Sequence, residues 1–134
     1  MKVNSTSKVV LSNENFKALA SSRNFQYSID TLKKKGGQDS APTPVEYFLS
    51  GIASCVAITI RMYAEKMKWN LGEIYVEVQE KTELTKDGVV KTIVENISFE
   101  NKISEAQKRS ILEVSNKCPV ALMVKNKTTF IKNI

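Results

Sequence analysis

The chain has 134 residues, 42% of them hydrophobic and 25% charged, with a formal net charge of +6. That length and composition suit one globular domain, residues 1–134, with a core that needs no staples. There is no histidine and there are only two cysteines, which excludes Cys–His and Ser–His hydrolases, His-based metal sites and a structural zinc site. The basic charge is scattered, and "LKKKGG" at Leu32–Gly37 is its one compact cluster, with no arginine run or interleaved aromatics beside it. A solvated basic surface is therefore expected, rather than a nucleic-acid interface. The opening "MKVNSTSKVVLS" lacks the apolar run of a signal peptide, and the longest uncharged apolar stretch, Tyr47–Ile60, is too short to span a bilayer. The expectation is a soluble cytoplasmic protein with no cofactor, no metal and no membrane partner.

In chain order, "KVVL" (Lys8–Leu11), "NFKALA" (Asn15–Ala20) and "FQYSID" (Phe25–Asp30) read as short strands of an antiparallel meander. "KKKGGQDSAPTP" breaks regular structure with two glycines and two prolines. Thr43, Pro44 and Glu46 then form a capping box, with Thr as N-cap, Pro at the first helical position and Glu at the third. The helix predicted from Pro44 to Lys68 is roughly 37 Å long. Val45, Phe48, Leu49, Ile52, Val56, Ile60, Tyr63 and Met67 follow a three-four spacing, while Ala53, Ala57 and Ile58 extend the apolar surface round the other sides. Such a helix is buried on most sides, and Ser50, Gly51, Ala53 and Ser54 leave room for a second backbone. A homodimer with this helix at its centre is the expectation.

A hairpin follows. "EIYVEVQEKTEL" sets Ile74, Val76 and Val78 on one face, the turn is placed at Asp87-Gly88, and "VKTIVENISFEN" returns with Ile93, Ile97 and Phe99 inward. Ser104 and Gln107 form a second capping box, which opens a helix to about Lys117. Cys118 precedes Pro119 and is biased out of helical geometry, and Pro119 starts a short helix, "PVALMV". "TTFIKNI" is expected to close the chain as a strand. The order predicts an α+β fold with a mainly antiparallel sheet and one long helix.

The two cysteines stand in "GGQDSAPTPVEYFLSGIASC" and "NKCPV". In these surroundings the sequence resembles the OsmC/Ohr family (osmotically inducible protein C and organic hydroperoxide resistance protein). The likeness runs through a Gly-rich loop, a proline, a cysteine in the long helix and a second cysteine before Pro-Val. The resemblance implies an OsmC-like fold, an intertwined homodimer with two central helices, and a thiol-dependent peroxidase acting on organic hydroperoxides. It makes Cys55 the attacking thiol and Cys118 the resolving one, with an external thiol or dithiol as reductant. It also implies an Arg–Glu pair beside the attacking thiol, the Arg coming from the N-terminal strands. Arg23 lies in that region and is the candidate for this Arg, with a solvent-facing turn residue as the equal alternative. Arg61 points elsewhere on the helix of Cys55.

In the peroxidase members the Glu directly follows the Pro. Here Val45 holds that position and Glu46 comes next, which matches a less characterised Pro-x-Glu branch. Helix geometry puts Glu46 about 13 Å along the axis and about 180° round from Cys55, so Glu46 either closes the capping box or serves a thiol across a dimer interface. By its own position, Cys118 caps the helix after it, whose dipole would make it at least as acidic as Cys55. The alternatives to a peroxidase are a non-enzymatic OsmC-like protein, binding a small ligand or sensing redox state, and a basic interaction protein.

Overall fold

A computed structural model describes residues 1–13 and 15–134. The chain forms two compact units, Met1–Phe48 and Leu49–Ile134.

In the first unit, β1 (Lys8–Leu11), β2 (Ala18–Ser22) and β3 (Phe25–Ile29) form the expected antiparallel meander, in that spatial order. The second strand starts three residues later than the sequence suggested. Asn15 Oδ1 accepts the Lys17 N–H at 2.8 Å, so Asn15 makes a turn instead of pairing. Ser22 pairs with Phe25, and Arg23 takes a left-handed φ of 54° in the tight connection.

Asp30, only 2% exposed, organises the segment that leads out of β3. Its carboxylate accepts the Thr31 N–H at 2.7 Å, the Ser40 N–H at 3.0 Å and the Ser40 hydroxyl at 2.6 Å. These bonds hold it well below the ordinary carboxylate range, at about 2, with the Ser40 hydroxyl contributing most. The same loop needs Gly37, because a Cβ there would sit 2.1 Å from the Thr31 carbonyl oxygen.

The long helix α1 (Pro44–Met67) opens with the anticipated capping box. Thr43 N–H donates to Glu46 Oε1 at 3.0 Å, and Glu46 N–H donates to Thr43 Oγ1 at 3.2 Å. It ends at Lys68, which takes a left-handed φ of 58°. There the Trp69 N–H reaches Ala64 O at 2.8 Å and the Lys68 N–H reaches Glu65 O at 3.1 Å, which is the Schellman pattern with Lys in place of the usual Gly.

In the second unit, β4 (Ile74–Thr85) and β5 (Gly88–Phe99) make a two-stranded antiparallel hairpin. The turn lies at Lys86-Asp87, one residue earlier than expected, because Gly88 pairs with Thr85. Thr85 fixes this register by donating its hydroxyl to Gly88 O at 2.9 Å and accepting the Asp87 N–H at 3.3 Å. Helix α2 (Glu105–Ser115) begins with the full Ser104–Gln107 capping box, and α3 (Pro119–Lys125) begins at Cys118.

The core consists of the α1 stripe Ile52, Val56, Ile60 and Ala64 with Leu71, Ile111, Cys118 and Ala121. Ile74, Val76, Val78, Ile97 and Phe99 pack on it from the hairpin. Ile93, expected inward, is 37% exposed. It shares the inner face but stands opposite Glu80, beyond the stretch of hairpin that packs on the core. The expected strand at 128–134 does not form. Those residues pair with neither sheet, and Thr128 instead donates its hydroxyl to Met123 O at 2.8 Å.

By length and composition α1 is apolar enough to cross a membrane. It contributes the buried stripe Ile52, Val56, Ile60 and Ala64 to the core and carries charges at Glu46, Arg61, Glu65 and Lys66. Ile58 and Met62 remain exposed, Met62 by 67%.

Candidate functional site

Cys118 owes its place to the two residues after it. Pro119 disfavours helical geometry at Cys118, and the backbone there takes φ −55° and ψ 126°. That conformation makes Cys118 the N-cap of α3, its Sγ accepting the Ala121 N–H at 3.4 Å. Its carbonyl accepts the Leu122 N–H at 3.0 Å. The side chain is fully buried at 0% exposure.

Cys55 is set by helical periodicity. It adjoins Val56 on α1 but lies about 100° round from it, at the margin of the buried stripe, and is therefore only partly buried. It packs against the core cluster that contains Cys118, and the two thiols lie close enough for Cys55 to influence the ionisation of Cys118. Both are free thiols. Two residues far apart in sequence thus meet at the boundary between core and surface.

Burial pushes the Cys118 thiol above its ordinary range, and the neighbouring Cys55 thiol pushes in the same direction. The α3 amides of Ala121 and Val120 pull the other way. The sequence-based expectation of an acidic Cys118 identified this helix-cap effect correctly, but desolvation outweighs it.

An open cleft of about 520 Å³ lies nearby, lined in part by residues close to the two cysteines in their helices, with Ile52, Ile93, Ala121 and Val124 as apolar lining and Lys91, Glu95 and Lys125 as charged lining. Ile52 lies three residues before Cys55, and the Ala121 amide rests on Cys118. Sequence reasoning missed this cleft. The spacing of Ala121, Val124 and Lys125 on one side of α3 was the available signal, though seven residues are too few for a periodicity to stand out. Lys91 forms an ion pair with Glu80, and Lys125 donates to Asn116 Oδ1 at 3.0 Å.

Glu46 and Arg23 belong to the unit Met1–Phe48. Glu46 performs its capping role, and the Thr43 N–H holds its carboxyl below the usual range. Arg23 is an exposed turn residue whose guanidinium lies 4.9 Å from the Phe25 ring centre, a cation–π contact. Arg61 donates to the Gly72 carbonyl at 2.6 Å, and Arg109 is exposed on α2.

The sequence profile of the family described as OsmC-like protein matches residues 37–132. No curated protein matches the sequence. Solved structures match over most of their length. One is an osmotic stress induced and detoxification response protein of Psychrobacter arcticus 273-4, with TM-score 0.74 and 20% identity over 90% of this chain and 88% of that one. An OsmC like protein of Mycoplasma pneumoniae gives 0.70 and 21% over 93% and 89%. An organic hydroperoxide resistance protein of Elizabethkingia anophelis gives 0.70 and 15% over 93% and 90%. At these identities the likeness establishes the fold.

Proposed function

The chain belongs to the OsmC-like protein family, and from that premise we propose that it is a thiol-dependent peroxidase for organic hydroperoxides. The observation that carries the reading is the proximity of Cys55 and Cys118, one thiol partly buried against the core cluster and the other fully buried in it. The Cys55 thiolate attacks the O–O bond of the hydroperoxide. The bond breaks, the distal oxygen remains on sulfur as a sulfenic acid, and the other oxygen leaves as the alcohol after taking a proton. Cys118 attacks the sulfenic sulfur, forming the disulfide and releasing water. An external thiol or dithiol returns both sulfurs to the reduced state by exchange. The apolar part of the cleft lining, Ile52, Ile93, Ala121 and Val124, supports an organic substrate over hydrogen peroxide.

The same reading holds the protein to be a cytoplasmic homodimer with α1 at its centre. The exposed Val45, Phe48, Ile58 and Met62 on that helix support it.

A second reading, a redox-sensing or small-ligand-binding member of the fold without turnover, draws on the arginines. Arg61 is committed to Gly72 O and Arg23 to the Phe25 ring. The test is consumption of cumene hydroperoxide against hydrogen peroxide with a dithiol reductant. The peroxidase consumes the organic peroxide faster and loses that activity in Cys55→Ser. Slow, stoichiometric oxidation without turnover would favour the second reading.

A further inference from the structure

Cys118 has two roles in the reduced protein. Its sulfur faces Cys55, and the same sulfur accepts the Ala121 N–H at the start of α3. The Val120 N–H lies near the sulfur as well and favours its thiolate. The first amides of a helix have no acceptor within the helix, so the cap on α3 is this one atom. Helix α3 has only seven residues, far below the length of about 12 at which a helix is even marginally stable alone. Besides the cap, its hold on the core comes from buried Ala121, partly buried Val120 and the Lys125–Asn116 bond, since Leu122, Met123 and Val124 are exposed.

We propose that Cys118 is a redox-operated helix cap: in the dithiol state it holds α3 as a wall of the cleft, and bonding to Cys55 releases that wall. The chemistry follows from the atom's valence. Disulfide formation removes both thiol protons and two electrons, and the sulfur that remains is a weaker acceptor than a thiol or thiolate. The geometry of a disulfide is specific, so the sulfur is placed where Cys55 requires it, not where the two amides do. Ala121, Val124 and Lys125 of α3 line the cleft, and loosening them opens it. The consequence serves the cycle. The alcohol leaves, and the Cys118 sulfur, fully buried in the reduced protein, comes within reach of an external thiol.

The inference rests on the thiol pairing proposed above but not on peroxide turnover. The experiment uses diamide, whose N=N bond takes up two electrons and two protons as the disulfide forms. Amide exchange at Ala121 is read by NMR relative to Ile111 in α2, which corrects for any change in global stability. In the wild type, formation of the Cys55–Cys118 disulfide is expected to speed relative exchange at Ala121 about fivefold, the size of a lost side-chain cap. In Cys55→Ser, which keeps the cap and cannot form the bond, diamide leaves the ratio unchanged. An unchanged or slower ratio in the oxidised wild type overturns the proposal. So does the same acceleration in Cys55→Ser, or failure of diamide to link the two cysteines. A protein inactive toward peroxides that still shows the acceleration retains the cap mechanism and loses only the peroxidase reading.

Discussion

Asp30 and Glu46 show how single carboxylates serve structure, Asp30 by ordering a loop and Glu46 by capping a helix. Asp30 has its pKa depressed to about 2 by Ser40 and Thr31. A depressed carboxylate contributes stability that is full above its unfolded pKa and is lost as pH falls through its folded one. The contribution should therefore fade between about pH 4 and pH 2. Asp30→Asn should lower the melting temperature at pH 7 and flatten its fall across that acid window. Equal slopes in the two proteins would remove Asp30 from the account. Glu46 was readable as a cap from Thr43, Pro44 and Glu46 alone, and the reciprocal bonds are present. Because Gln serves at that capping position, Glu46→Gln should leave both melting temperature and peroxide rate unchanged. A tenfold slower rate at unchanged melting would instead assign Glu46 the placement of an activating cation. The meeting of the cysteines was legible only through resemblance. The high pKa of Cys118 was not legible, because it comes from the packing of α1, α2 and α3 around the sulfur.

Among the elements, the helices were the most readable. Both capping boxes and the Pro at the head of α3 lie where local chemistry puts them, because a cap is decided within four residues. The strands were less so. Asn15 and Thr85 shifted a strand start and a turn through side-chain bonds that a hydrophobic pattern does not register. The terminal "TTFIKNI" has strand composition but no edge to join, and composition cannot supply a partner. Gly51 makes a test at this scale. Within the single chain a Cβ at Gly51 meets nothing within 4 Å. Substitution of a helix-interior glycine should then stabilise, by about 1 kcal/mol for Ala. In the proposed dimer the position faces a second helix, and Gly51→Leu costs about 1–3 kcal/mol through overpacking. Sedimentation and thermal melting of Gly51→Leu are expected to show weaker association and a lower melting temperature. A more stable protein with unchanged association would argue against a close α1–α1 contact.

For the whole molecule, the two thiols differ in depth. The α1 stripe and the hairpin build a core, with Cys118 fully buried in it and Cys55 partly buried against it. An α+β fold with antiparallel pairing and one long helix was legible in the order of elements. The division into a three-stranded and a two-stranded sheet was not, since it depends on which edges meet in space. The central claim is that Cys55 reduces the peroxide and Cys118 resolves it within the same chain. The most direct test adds one equivalent of cumene hydroperoxide to the reduced protein and measures alcohol, free thiol and the position of the disulfide together. The account predicts one alcohol formed, both thiols lost, and Cys55 joined to Cys118 in a single chain. Alcohol without loss of the Cys118 thiol, disulfides only between chains, or no alcohol at all would contradict it.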